Sequence, residues 1–120
     1  MGFFGKLFRR RPSPERPQEW IAVYFKLSSG GEFGNAEERA MVHKFADKLE
    51  SVIEERQIGV YDGDEYGNGQ GALFMYGPNA DLLFDAVYPL LSTWKPLKGG
   101  YAIKRYGMAE RRERIEFWLE

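Results

Sequence analysis

The chain has no cysteine. That excludes disulfides and any thiolate-bound metal. It has one histidine, His43, so no second imidazole is present to complete a metal site. No run of about 20 apolar residues occurs, so no segment reads as a bilayer-spanning helix. No nucleophile–base pair stands out, and no Gly-Lys-Ser/Thr sequence opens a helix as a phosphate loop requires. These absences leave neither a catalytic centre nor a cofactor to be read from the residues. The expectation is a protein that is not an enzyme and holds no cofactor.

What is present points to a folded domain. With 43% hydrophobic and 16% aromatic residues in 120, the chain has enough apolar content for a core of its own. The formal net charge of −1 conceals an asymmetry. Residues 1–18 carry Lys6, Arg9, Arg10, Arg11 and Arg16 against Glu15, so the arm is cationic and the body from 19 to 120 is acidic. Two segments follow: a basic arm with a proline-rich linker over 1–18, and one domain over 19–120.

The arm begins Met1-Gly-Phe-Phe-Gly-Lys-Leu-Phe8 and continues Arg9-Arg-Arg11 before Pro12, Pro14 and Pro17. The prolines favour an extended linker. Phe3, Phe4, Leu7 and Phe8 fall on one side of a helical turn, with Lys6, Arg9, Arg10 and Arg11 placed to meet lipid phosphates. This is the pattern of an interfacial anchor. Gly2 is positioned for myristoylation, but Lys6 stands where Ser or Thr is wanted. The apolar run is too short for a signal peptide and precedes the arginines. The expected location is the cytoplasm, with the arm at the inner membrane surface; the alternative is a frayed, solvated terminus.

In the body, Trp20–Leu27 alternates, with Ile21, Val23, Phe25 and Leu27 on one side and Trp20, Ala22, Tyr24 and Lys26 on the other. Asn35 with Glu38 three residues on makes a capping box. A helix to Arg56 follows, its stripe being Val42, Phe45, Leu49, Val52 and Ile53. Ile58–Tyr61 reads as a short strand, 62–71 as a turn region and Ala72–Tyr76 as a strand. Asn79 caps a second helix with Ala80, Leu83, Phe84, Val87, Leu90 and Leu91 inward, and Pro89 should kink it or end it near Tyr88. Tyr101–Tyr106 is a fourth strand carrying Ile103. Arg114–Glu120 alternates as a fifth, with a short helix as the rival. The order strand, helix, strand, strand, helix, strand predicts an α+β, ferredoxin-like βαββαβ sandwich. Two helices would lie on one face of an antiparallel sheet, with an extra C-terminal strand.

Asp62, Asp64 and Glu65 are the candidates for a hard cation, because clustered carboxylates can hold one. Asp62-x-Asp64 with Gly67 matches the start of a calcium loop, but Tyr66 and Leu73 occupy positions where ligands are needed. A solvated turn is the better reading, and no metal is expected. His43 reads as a solvated or edge histidine.

If the Ile21 set faces the helices, the outer face carries Trp20, Tyr24, Lys26, Tyr61, Phe74, Tyr76, Lys104, Tyr106 and Trp118. Large rings on a wet face mark an interface. Trp20, Tyr24, Phe74, Tyr76, Tyr106 and Trp118 are the partner-binding candidates, for a partner protein or a second copy in a homodimer. Base stacking is the alternative, as in RNA-recognition modules, although the acidic body disfavours nucleic acid. A third outcome is that the C-terminal segment folds over the face.

Three motifs add a resemblance. Asp62-Gly-Asp-Glu-x-Gly, then Phe74-Met-Tyr-Gly-Pro-Asn-Ala-Asp81 with Leu83-Phe84, and Lys104-Arg-Tyr-Gly107 resemble a group of small uncharacterised bacterial proteins. These share a D-G-x-E … Y-G-P-D-A-D … R-Y-G layout on a ferredoxin-like core, and the resemblance covers roughly residues 20–107. Asn79 replaces the usual Asp, a conservative change at a helix cap. More loosely, the architecture is similar to the regulator of ribonuclease activity B and to some toxin-immunity proteins, which implies a binding role without catalysis.

The anchor reading has a direct consequence: a Phe3→Ala/Phe4→Ala variant should lose most of its co-sedimentation with anionic vesicles, and binding that survives the change refutes it.

Overall fold

The computed structural model describes residues 19–28, 31–107 and 112–117. Its elements run in the order β1 (Glu19–Lys26), α1 (Ala36–Arg56), β2 (Val60–Gly67), β3 (Gln70–Gly77), α2 (Ala80–Leu91), a single 3₁₀ turn (Lys95–Leu97), β4 (Tyr101–Arg105) and β5 (Arg112–Glu116). The architecture is α+β: two helices and an open five-stranded antiparallel sheet in the order β2-β3-β1-β4-β5. The central strand is thus β1, held between β3 and β4.

Local chemistry accounts for each boundary. Asn35 sits in extended backbone and its side chain accepts from the Glu38 N–H at 2.8 Å, which satisfies one orphan donor of α1. Glu37 and Glu38 lie at the positive end of the helix dipole. Gln57, in the left-handed region at φ 54°, closes the helix by donating back to Glu54. Asn79 repeats the N-cap at α2, accepting from Leu82 at 3.0 Å. Helix α2 continues through Pro89 to Leu91 instead of stopping near Tyr88. Pro89 falls in the last turn, so the bond its missing N–H cannot make to the Asp85 carbonyl is lost only two residues before the helix ends. Ser92 and Thr93 hydroxyls donate to the Pro89 carbonyl and close that end.

The hairpin departs from the sequence expectation. Residues 62–67 are not turn; they are the second half of β2. The turn is only Asn68-Gly69, both with positive φ (55° and 76°), and Gly67 pairs with Gln70 across it. A two-residue turn of this kind matches the twist of its strands and favours Asn-Gly. A bulge at Asp62 shifts the register between Tyr61 and Gly63. Strand β5 starts at Arg112, two residues before the expected position, and it is a strand and not a helix.

The core lies between the sheet and both helices. Ile21, Val23 and Phe25 of β1, Leu73 and Met75 of β3 and Ala102 of β4 meet Val42, Phe45, Leu49 and Ile53 of α1 and Leu83, Phe84, Val87 and Leu91 of α2. At one end an aromatic stack joins the layers. The Trp94 ring lies parallel to Phe45 at 4.1 Å, and Phe25 meets Trp94 edge-on at 4.9 Å. Gly71, opposite Phe25 in the β1–β3 register, makes room for this arrangement: a Cβ there would stand 2.3 Å from the Phe25 ring. Gly71→Ala should therefore force Phe25 off its rotamer and cost about 1–3 kcal/mol in urea denaturation. An unchanged midpoint would mean that the ring has room to move.

Candidate contact surface on the open sheet face

The pleat of β1 decides what each face carries. With Ile21, Val23 and Phe25 turned to the helices, Trp20, Ala22 and Tyr24 point the other way, and the register places Tyr76, Phe74 and Ala72 of β3 beside them. On the opposite flank the partners are Arg105, Ile103 and Tyr101 of β4. Among the described residues, no helix covers this face.

Two ring groups occupy it. Trp20 and Tyr76 are 5.8 Å apart near the start of β1. Further along, Tyr24 stacks on Tyr101 at 5.0 Å and meets Phe74 edge-on at 6.5 Å, while the Arg114 guanidinium of β5 lies 3.7 Å over the Tyr101 ring. Trp20, Tyr24, Tyr76 and Tyr101 are half-buried, and Lys26, Arg105 and Arg114 are exposed. Phe74 differs: it is 2% exposed and forms a small second cluster with Ala22 and Ala72.

Several residues expected on this face lie elsewhere. Tyr61 pairs with Met75 and packs against the helix-side core, because its strand phase precedes the bulge. Lys104 pairs with Ile21 and so also points to the helix side. The reason is the phase of β4: Ala102 and Lys104 point in, leaving Tyr101 and Ile103 outward. Tyr106 follows Lys104 to the α2 end, where its hydroxyl is 2.7 Å from Asp81 and 3.1 Å from Glu113. It is not part of the outer ring groups. Trp118, Phe3, Phe4, Lys6, Leu7, Phe8, Arg9, Arg10 and Arg11 lie outside the described residues. Tyr101 and Arg114 are the members that sequence reasoning missed. A phase assignment of β4 anchored on Ala102 would have found the first.

The network around Lys104 explains two of the three motifs. Lys104 is 8% exposed, with its ammonium 2.9 Å from Asp81 and 3.4 Å from Glu113 and 4.9 Å from the centre of the Phe84 ring. Glu19 accepts from the Ala80 N–H at the start of α2. Asp81 of the middle motif thus meets Lys104 and Tyr106 of the last one, tying α2 to the end of β4. Burial pulls the Lys104 ammonium towards deprotonation, but the bonds to Asp81 and Tyr106 outweigh it and hold its pKa above the ordinary lysine value.

The three acidic candidates do not converge on a cation. Asp64 faces α1, where its carboxylate accepts from Tyr66 at 2.7 Å and lies 2.9 Å from His43 Nε2. Asp62 is at the bulge, and Glu65 pairs with Ala72 on the outer face. No group of three or more metal-ligating side chains converges among the described residues. A groove of about 510 Å³ lies at the far end of β1 between Phe25, Leu27, Met41, Val42, Trp94 and Pro96. Lys26, Glu37, Glu38, Lys95 and Lys98 line it as well. No family model, curated protein or solved structure matches the chain.

The phenols of β2 carry a pH signature. Burial, then the nearby Asp64 charge, pushes the Tyr61 phenol well above its usual range. Burial, then the hydrogen bond to Asp64, does the same for Tyr66. Lys104 is raised as well. Each group keeps its proton longer folded than unfolded, so their stabilising contribution is full at neutral pH. It starts to be lost above the unfolded values near 10 and goes on being lost as the pH rises towards the raised folded values. Denaturation midpoints should fall steeply above pH 10, and Tyr61→Phe/Tyr66→Phe should flatten the fall. A midpoint independent of pH between 9 and 11 in the wild-type chain refutes this assignment.

Proposed function

We propose that this chain is a ferredoxin-like sandwich with an added edge strand, acting by contact and not by catalysis. Its open sheet face is the contact surface, and a second copy of the chain is the partner it fits. The fold assignment is supported by the split strand–helix–strand repeat and by β1 lying between β3 and β4. The observation that carries the function is the row of half-buried rings, Trp20, Tyr24, Tyr76 and Tyr101, on the side of the sheet away from the helices. Tyr and Trp are the residues that anchor interfaces, since they bring large area with few rotamers to freeze. Exposed Arg114 and Glu116, neighbours on β5, allow a two-fold contact to pair unlike charges. The looser architectural similarity to non-enzymatic binding proteins supports the contact reading, and the apolar-then-basic arm supports a place in the bacterial cytoplasm at the inner membrane surface.

A second reading has an observation of its own. Lys26, Arg105 and Arg114 make the β1–β4–β5 part of this face cationic, and the Tyr101 ring with its guanidinium resembles a platform for an RNA base. One pair of variants separates the two. Tyr24→Ala/Tyr101→Ala should lower the sedimentation coefficient seen at high protein concentration, while single-stranded RNA is not retarded at low salt by the wild-type chain. A wild-type chain that stays monomeric at every concentration overturns the dimer. RNA retardation that falls in the variant establishes the second reading instead.

A further inference from the structure

The sheet ends on two unlike edges. On one side β2 carries the bulge at Asp62 and the carboxylates Asp62, Asp64 and Glu65, features that discourage another strand from adding there. On the other side β5 runs against β4 without a break, from Arg105↔Arg112 to Tyr101↔Glu116. Among the described residues no strand pairs with its outer side, and Glu113, Arg114 and Glu116 are exposed. The Phe117 N–H donates to the Gly100 carbonyl, and the Phe117 carbonyl accepts from the Gly99 N–H, so Phe117 turns its backbone groups towards β4. Backbone groups alternate in direction along a strand. Those of Glu113 and Ile115 therefore point to β4, and those of Arg114 and Glu116 point out of the sheet. On the helix side, Ile115 is only half-buried, and Tyr88 of α2, whose ring lies 6.0 Å from that of Phe117, is 44% exposed.

We propose that β5 pairs antiparallel with β5 of a second copy, about a two-fold axis through Ile115, so that the two sheets become one. The residues select this register. An antiparallel ladder sets outward-pointing residues opposite each other, so the axis passes through a residue and not between two. Arg112, Glu113, Arg114 and Glu116 would each meet their own charge on the axis, and Ile115 alone does not. With Ile115 there, Arg114 lies opposite Glu116 of the second copy, and Glu116 opposite its Arg114. Unlike charges directly opposite favour a pair of strands, and like charges oppose it. Arg114 and Glu116 already pair within one strand, so the charges alternate in sign around the axis. The two Ile115 side chains meet on the helix side as a non-hydrogen-bonded pair, the closer of the two kinds, and extend the apolar strip that Tyr88 and Phe117 begin. The axis stands perpendicular to the sheet, which leaves both open faces uncovered on the same side. The edge pairing thus goes beyond the face contact proposed above and does not rest on it.

The absence of cysteine makes the test direct. Ile115→Cys in the full chain should give a disulfide-linked dimer on treatment with diamide, because non-hydrogen-bonded partners bring their Cβ atoms within disulfide range. The link should form equally in a Tyr24→Ala/Tyr101→Ala background, which removes the face contact. Face-to-face packing alone gives no link, since Ile115 lies on the helix side. In chains that keep Ile115, Arg114→Glu and Glu116→Arg should each need at least about tenfold higher concentration to self-associate in sedimentation, because each turns two unlike cross-strand pairs into like ones. An equimolar mixture of these two variants should associate at the wild-type concentration or below. A folded Ile115→Cys chain that stays unlinked overturns the pairing, as does a link that is lost with Tyr24 and Tyr101. A mixture that associates no better than its components overturns it as well.

Discussion

The structure depends on the direction in which β1 presents its pleat. Ile21, Val23 and Phe25 are fully or nearly buried against both helices. Because strand side chains alternate, turning these three inward forces Trp20, Ala22 and Tyr24 outward. A slip by one residue would reverse both sets and expose the core face. Since β1 is the central strand, its phase is transmitted through two ladders at once, to β3 and to β4. The register then fixes which rings share the outer face. Burying three such side chains contributes several kcal/mol at about 1.5–3 kcal/mol each, far more than any surface pair here, so the apolar pattern wins.

Polar links then fix the helices on that frame. Lys104 is the informative one: a cation in a nearly dry position between sheet and α2, held by Asp81 and Glu113 and lying over Phe84. Removing its partner would leave a largely buried charge uncompensated, which costs more than the pair gains over an apolar replacement. Such an arrangement specifies how α2 sits more than it adds stability. It also gives the Asn79-Ala-Asp81 and Lys104-Arg-Tyr106 motifs a structural meaning, since their side chains meet although more than twenty residues separate them. Between α1 and β2, the His43–Asp64–Tyr66 contacts are partly exposed and worth little individually.

Much of the fold was legible because it rested on local rules. Both N-caps, and the apolar faces of α1 and α2 apart from the half-buried Val52 and Leu90, follow from side-chain chemistry and helical period alone, and the structure has them where those rules place them. The hairpin was misjudged because six polar and glycine residues look like turn, while the shorter Asn68-Gly69 signal inside them was the true one. Tyr61 and Lys104 were misplaced because a strand with mixed residues on both sides gives no unique phase. The bulge at Asp62 then changes the phase partway along β2.

The sequence by itself determined both helices and their N-caps and the alternation of β1, since each depends on residues within a turn or two of one another. It also determined the charge contrast between arm and body. Only the tertiary structure decided that Tyr101 and Arg114 join Tyr24, that Lys104 and Tyr106 belong to α2, and that Phe74 is buried on a face away from the helices. Those facts depend on ladder register and on contacts between residues distant in the chain, which no local period encodes.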